Sequence, residues 1–455
     1  MTTISPLSSS VVSVPPVFKV QGQQNLPIVA DTVAQVSGVA SSGSLQSMQT
    51  PLASALTWTV KSSDPLTSMM TINYGSKSLL NRFDRLGAAA LRDVNNFSQS
   101  VSLLNSDPVA GGYQVTLSIK MADGIDVKVN LDSKANSLSL QVSSTSKLGA
   151  TDRAALAKLA DGFQNAIDSM RNGSKLDFTG LLAYDSSLVS SIDVEAKTQF
   201  GTTPAQMQTF HVDRAQRSFT SDGPDGQVNV SVDLRQLAGI GNAQQRKAGM
   251  DAYLKQFDEA GIRGHANEST LTTFKSAFQQ MTGVGAGTTV ISNRPINLSD
   301  SDHALLTGLP DFDASMSDKP VASNPMRQNE VDTFSYQVSQ DTSISGDSQR
   351  NRSISQKQHA HLEASFHKSL DSTPLALDNS KQSQNYYFEH VSEDRSSDTE
   401  IGYRNGMLVR GTADEHITRS TQVLKYVMGI LTDESSTPEV SNTRRDLLSQ
   451  SSLGL

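Results

Sequence analysis

From Tyr113 onward the chain alternates apolar and polar positions: Tyr113, Val115, Leu117, Ile119 and Met121 lie two apart with polar residues between them. Asp123-Gly124 interrupts the run, which resumes at Ile125, Val127, Val129 and Leu131, and Leu138, Leu140 and Val142 repeat it after a polar turn around Asn136. A period of two places successive side chains on opposite faces of a strand, so the pattern predicts a three-stranded antiparallel β-meander with one buried face. The period then changes. Leu156, Leu159, Phe163, Ile167 and Met170 fall three or four apart, behind Thr151 as N-cap and ahead of Asn172-Gly173. That spacing predicts a helix whose apolar stripe lies across the meander, an α+β layer.

The same rules extend to both sides. Leu80, Phe83, Leu86, Ala90, Val94, Phe97 and Val101 predict one amphipathic helix over 78–104, ended by Asp107-Pro108. Strands are predicted at 192–196, 210–212 and 228–234, the last two joined by Asp222-Gly223-Pro224-Asp225-Gly226, followed by one helix carrying Met250, Leu254 and Phe257 and another carrying Leu271, Phe274, Phe278 and Met281. Farther on, Phe334, Tyr336 and Val338 alternate, Tyr386-Tyr387-Phe388 suits a strand, and Ile401, Tyr403, Met407 and Val409 flank Asn405-Gly406, a hairpin signal. Ile417, Leu424, Val427, Met428 and Leu431 predict a closing helix. The organisation expected is a disordered Ser-rich leader (1–55), a helical segment (56–108), an α+β domain (109–282), a Gly/Ser/Asp/Pro-rich linker (283–330), a β-rich module ending in a helix (331–431) and a disordered tail (432–455). The fold class is α+β, with an antiparallel β-meander, packed helices and a second β-rich module.

Composition narrows the functions. The chain has 455 residues, of which 36% are hydrophobic and 5% aromatic, low values for one fully packed globule and suited to cores separated by polar segments. A net charge of -8 without long like-charged runs argues against nucleic acid and against an anionic membrane surface as partners. No run of about 20 apolar residues is present, so no membrane span is expected. There is no cysteine, which removes disulfides, thiol nucleophiles and thiolate metal centres; low cysteine usage in a bacterial protein and a working life outside the cell both account for it.

The first 50 residues hold ten serines and only two charged side chains, Lys19 and Asp31. Ser8-Ser9-Ser10, Pro15-Pro16 and Ser41-Ser42-Gly43-Ser44 cannot bury enough surface to offset chain entropy. A basic n-region followed by an apolar h-region is missing, against a classical cleaved secretory signal. Ile4, the Ser/Pro/Gln richness and the lack of Asp or Glu in the first dozen residues resemble the N-terminal export signal of type III secreted proteins of Gram-negative bacteria, to which flagellar export is related. The resemblance covers about 50 residues and implies a segment that stays unfolded to be threaded through a channel; a plain disordered leader has the same composition.

Candidate chemistry is sparse. His359, His361, Glu363 and His367 are the densest set of possible metal ligands: in a strand all four share one face, in a helix only His359, Glu363 and His367 align. Three histidines on an exposed sheet face need no ligand. Gly283-Val284-Gly285-Ala286-Gly287-Thr288 lacks the spacing and the preceding strand of a dinucleotide loop and suits a helix-ending linker. Asp311-Phe312-Asp313 offers two carboxylates to a divalent cation or forms a solvated turn. No Gly-x-Ser-x-Gly, Walker A or His-Glu-x-x-His motif occurs, and no cofactor is expected. The function expected is therefore an exported or surface-associated bacterial protein that binds a protein partner without evident catalysis, with any small-molecule substrate unspecified. The alternatives are a cytoplasmic enzyme, for instance of dehydrogenase type, and a cytoplasmic accessory protein with a disordered N-terminus.

Overall fold

A computed structural model describes residues 56–58, 64–94, 96–103, 111–172, 175–199, 201, 203–235, 239–283, 296, 298–371 and 373–446. The Ser-rich leader, Val284 to Thr288 of the glycine cluster and the last nine residues lie outside them. Fifteen strands form one open sheet in the order β1-β2-β5-β4-β3-β6-β7-β8-β9-β10-β11-β12-β13-β14-β15. Every pairing between described strands is antiparallel. With helices packed on the sheet, this is a β-rich α+β fold.

The alternating segments are strands β3 (Gly112–Met121), β4 (Asp126–Lys134) and β5 (Ser137–Ser144), and their apolar rows are buried. Helix α3 (Ala150–Asn172) buries Leu156, Leu159, Phe163, Ile167 and Met170 beneath the same core. The Tyr113 hydroxyl on β3 donates to the Ile167 carbonyl at 3.1 Å, tying helix to sheet. Residues 78–104 are not one helix. A 3-10 turn (Leu79–Phe83), helix α2 (Leu86–Arg92) and strand β2 (Phe97–Leu103) share the span, and another helix, α1 (Pro65–Tyr74), precedes them. Arg85 between turn and helix has φ 57, which a continuous right-handed helix cannot include. From Phe97 the Ser98, Ser100, Ser102 alternation sets a strand period, which the three-to-four count had hidden.

Strands β6 (Val189–Gln199), β7 (Gln206–Asp213) and β9 (Gly226–Asp233) lie at the expected strand positions, the last ending one residue short of 234. Between β7 and β9 lies β8 (Gln216–Asp222), so 222–226 is the β8–β9 turn. Helix α4 (Thr179–Leu182) is a single turn against α3, and helices α5 (Ala243–Gly264) and α6 (Glu268–Thr282) form the second part of the helix layer. α5 starts with a capping box between Asn242 and Gln245. Tyr253, Phe257, Phe274 and Phe278 of these helices pack on Phe312 and Tyr336 of the sheet.

The 283–330 span is not only a connector: it contains strand β10 (Asp311–Asp318), hydrogen-bonded between β9 and β11, and the short helix α7 (Asp300–His303). Beyond it the strands lengthen to 16, 19, 19 and 21 residues in β11 (Thr333–Ser348), β12 (Asn351–Ser369), β13 (Tyr386–Arg404) and β14 (Met407–Val427). At roughly 3.3 Å per residue such strands run to about 60 Å and outreach the helix layer. The inner face changes accordingly. Apolar at Ala360, Leu362, Ala364 and Phe366 of β12, it turns charged on β13 and β14, where Glu393 receives Arg263 of α5 and Arg419, each at 2.9 Å, and Arg395 meets Glu415 at 2.7 Å.

The chain closes without the expected helix. Ile417, Leu424 and Val427 lie in β14, and Ile430 begins β15 (Ile430–Asp446), so much of the expected disordered tail is a strand. Met428 and Gly429 form the two-residue turn, with φ 54 and 76, a backbone no α-helix accommodates. Asn405-Gly406 turns β13 into β14 in the same way, as its sequence indicates, with φ 51 and 82.

Candidate functional site

Of the four histidine-cluster residues, His359, His361 and Glu363 stand on the outer face of β12. There the imidazoles of His359 and His361 share Asp394 of β13, at 3.0 and 3.4 Å, while Glu363 lies 4.0 Å from His361. His367 is taken out of the group. Its side chain is 2% exposed and holds two carboxylates, Asp332 at 2.6 Å from Nδ1 and Glu330 at 3.3 Å from Nε2. Among the described residues no set of three His, Asp or Glu side chains is arranged to hold a metal.

Sequence separation explains how His367 found these partners. Glu330 and Asp332 end the connection from β10 to β11, and Val321 and Asp332 bridge across it, folding residues 319–332 into a strap. The strap crosses the end of the sheet where β12 finishes and β13 begins. There the Tyr386 hydroxyl donates to Glu330 at 2.6 Å, and Asn324 donates to Tyr386 at 2.9 Å and to Gln384 at 2.8 Å. Ser323 donates to Asp332 from the other side. Arg327 reaches the Gly429 carbonyl at 3.0 Å and lies over the Tyr426 ring at 4.3 Å. Tyr386 stacks on Tyr426, and Phe388 closes on the His367 ring at 4.7 Å.

The electrostatics follow from this geometry. Burial opposes ionisation of Asp332, but hydrogen bonds from His367 and Ser323 outweigh it and hold the carboxyl below its ordinary range. Burial, then the bond to Glu330, pushes the Tyr386 hydroxyl well up, so it stays a donor. Both imidazole nitrogens face carboxylates. The cluster thus acts as a clamp that fastens the strap and the β14–β15 turn to the sheet.

Two open grooves border the sheet. One of about 440 Å³ runs beside the strap past Asp332, Ser323, Ser365, Asp318 and His265, whose ring stacks on Phe366 at 4.1 Å. Burial raises the Asp318 carboxyl there despite the Asn267 amide donating to it at 2.7 Å. The other, about 760 Å³, holds Asp311 and Asp313, which lie in β10 and not in a turn, with Asp233, Asp341 and Arg235. Asp311 is register partner to Asp233. Burial, ahead of the hydrogen bonds from Thr342 that oppose it, pushes Asp311 up to about 6. Phe312 between the two aspartates points into the core.

The remaining feature is an edge. β15 pairs with β14 along its length, and all 17 of its residues are exposed. The opposite edge, β1 (Leu56–Trp58), is three residues long. No described helix is long and apolar enough to cross a membrane. No family model matches the chain, and neither a curated protein nor a solved structure matches it significantly.

Proposed function

We propose that this is an exported bacterial interaction protein that binds through the free edge of its C-terminal hairpin. The observation that carries the docking role is β15: seventeen exposed residues whose outward backbone groups lack a neighbouring strand among the described residues. A row of unpaired N–H and C=O groups is a template for strand addition, in which main-chain bonds supply affinity and alternating side chains supply selectivity. The clamp around His367 holds the root of this hairpin, since Arg327 bonds the carbonyl of its turn residue Gly429. Support for export comes from the Ser-rich leader with two charges in 50 residues.

Two experiments test these parts separately. A photo-crosslinking amino acid at Ser436, in mid-β15, is expected to capture a protein in the producing cell or its medium, whereas the same group at Lys158 on α3 captures none. No adduct at Ser436 would remove the docking role. Residues 1–60 fused to a reporter are expected to leave a cell with an intact type III apparatus; retention of the reporter would remove the export role.

A further inference from the structure

The charges on β15 are sorted along its length. Asp433 and Glu434 sit near the hairpin turn, Arg444 and Arg445 near the far end just ahead of Asp446, the last residue of the strand, and Glu439 lies between. An antiparallel strand laid against the free edge with its own centre at residue 439 would therefore bring opposite charges together if it carried the same sequence. We propose that the occupant of the edge is a second copy of this chain, paired β15 to β15 about a two-fold axis at Glu439. In that register Asp433 faces Arg445 of the other copy, Glu434 faces its Arg444 and Asp446 faces its Thr432, and the symmetry repeats each pair. Directly opposite residues share a face of an antiparallel ladder, so each pair is within side-chain reach.

The surroundings agree with this register. The one like-charged meeting of directly opposite residues, Glu439 with its own copy, falls where Arg419 of β14 already holds Glu439 at 3.3 Å, so each carboxylate brings a guanidinium. Arg444 meets Asp414 at 3.5 Å and is largely exposed to water, and Glu434 accepts from Gln422 at 2.8 Å. Such solvated contacts are worth little and do not compete strongly with a facing strand. Pro438 removes one N–H from the strand, and its neighbours keep theirs. The described part of the opposite edge, β1, offers three residues against the seventeen of β15. An isologous pair closes on itself and leaves no long edge behind.

Self-pairing presupposes the docking role of β15, and the test separates the two. Sedimentation of the full chain is expected to show a dimer that weakens with salt. The double reversals Arg444→Glu with Arg445→Glu, and Asp433→Arg with Glu434→Arg, are each expected to weaken self-association about tenfold or more. Mixed in equal amounts, the two variants carry complementary edges and are expected to form a heterodimer, which also shows that both are folded. A wild-type chain still monomeric at about 100 μM, a concentration that fills a micromolar dimer, would overturn self-pairing. So would a dimer indifferent to both reversals, or a mixture that fails to associate while both variants keep the wild-type circular dichroism. A Ser436 adduct to a different protein alongside any of these would retire the second copy and keep the docking role; no adduct at all would remove both.

Discussion

Replacing His367 by alanine is the sharpest perturbation of the clamp. The side chain is 2% exposed and lies against Glu330, whose side chain is 6% exposed, so the substitution leaves a carboxylate buried without its imidazole. Where the imidazole is protonated, removing it from such a buried pair costs about 3–5 kcal/mol. Some relief is built in, since Tyr386 still donates to Glu330 at 2.6 Å, Arg327 stands 3.6 Å away and Ser323 still donates to Asp332. That points to the lower end, about 3 kcal/mol, to which the lost ring contacts with Tyr386 and Phe388 add about 1 kcal/mol. Urea unfolding followed by circular dichroism reads the total. Hydrogen exchange in residues 319–332 reads its location, with faster exchange expected in the strap and none in α3. The acid side carries its own sign. Asp332 is depressed in the folded state, so its contribution is complete above the unfolded carboxylate value of about 3.9 and is lost as pH falls through the lower folded one. The share of the gap between wild type and His367→Ala that comes from Asp332 should therefore narrow below about pH 4. A loss under about 1 kcal/mol, with unchanged exchange in 319–332, would refute the clamp.

Further outcomes are expected elsewhere. Asp311 keeps its proton up to about pH 6 when folded but releases it near 4 when unfolded, so stability falls as pH rises between those values. Scaled down for partial solvent access, Asp311→Asn should gain about 1 kcal/mol at pH 7 and nothing at pH 4, measured as the difference in urea midpoints. A Cβ at Gly162 would lie 2.6 Å from the backbone of Gly180, so Gly162→Ala should cost about 1–3 kcal/mol and lower the Tm, measured by calorimetry. Chelator treatment should leave the Tm unchanged, because His367 is committed to two carboxylates and only His359 and His361 share Asp394.

Where burial is one-sided, the sequence displays the fold plainly. The rows from Tyr113 to Val142 and the stripe from Leu156 to Met170 announce a sheet and a helix because each has one face in the core. That signal fades as the core ends. β8 has one large apolar residue, Phe219, and β15 has no buried face at all, so period-two reasoning has nothing to register. The 417–431 span misleads for a related reason: Leu424, Val427, Met428 and Leu431 fall at helical spacing, yet Met428 and Gly429 are a turn and the other three belong to two strands. Of the clamp, only His367 stood out in the sequence as candidate chemistry, while Tyr386 and Phe388 showed only as a strand. Glu330 and Asp332 lie 37 and 35 residues away from it, at the junction of the expected linker and the module after it, and the strand pairing that joins them to Tyr386 is set by the whole sheet.

Hydrogen–deuterium exchange along β15 measures the central claim most directly. In an antiparallel strand, alternate amides point toward β14 and away from it. If the free edge is the docking edge, the outward set between Thr432 and Asp446 becomes protected as the protein concentration rises into the dimer range, and loses that protection in the Arg444→Glu, Arg445→Glu variant. Outward amides that exchange at unprotected rates at every concentration, with or without a co-purified partner, would contradict it.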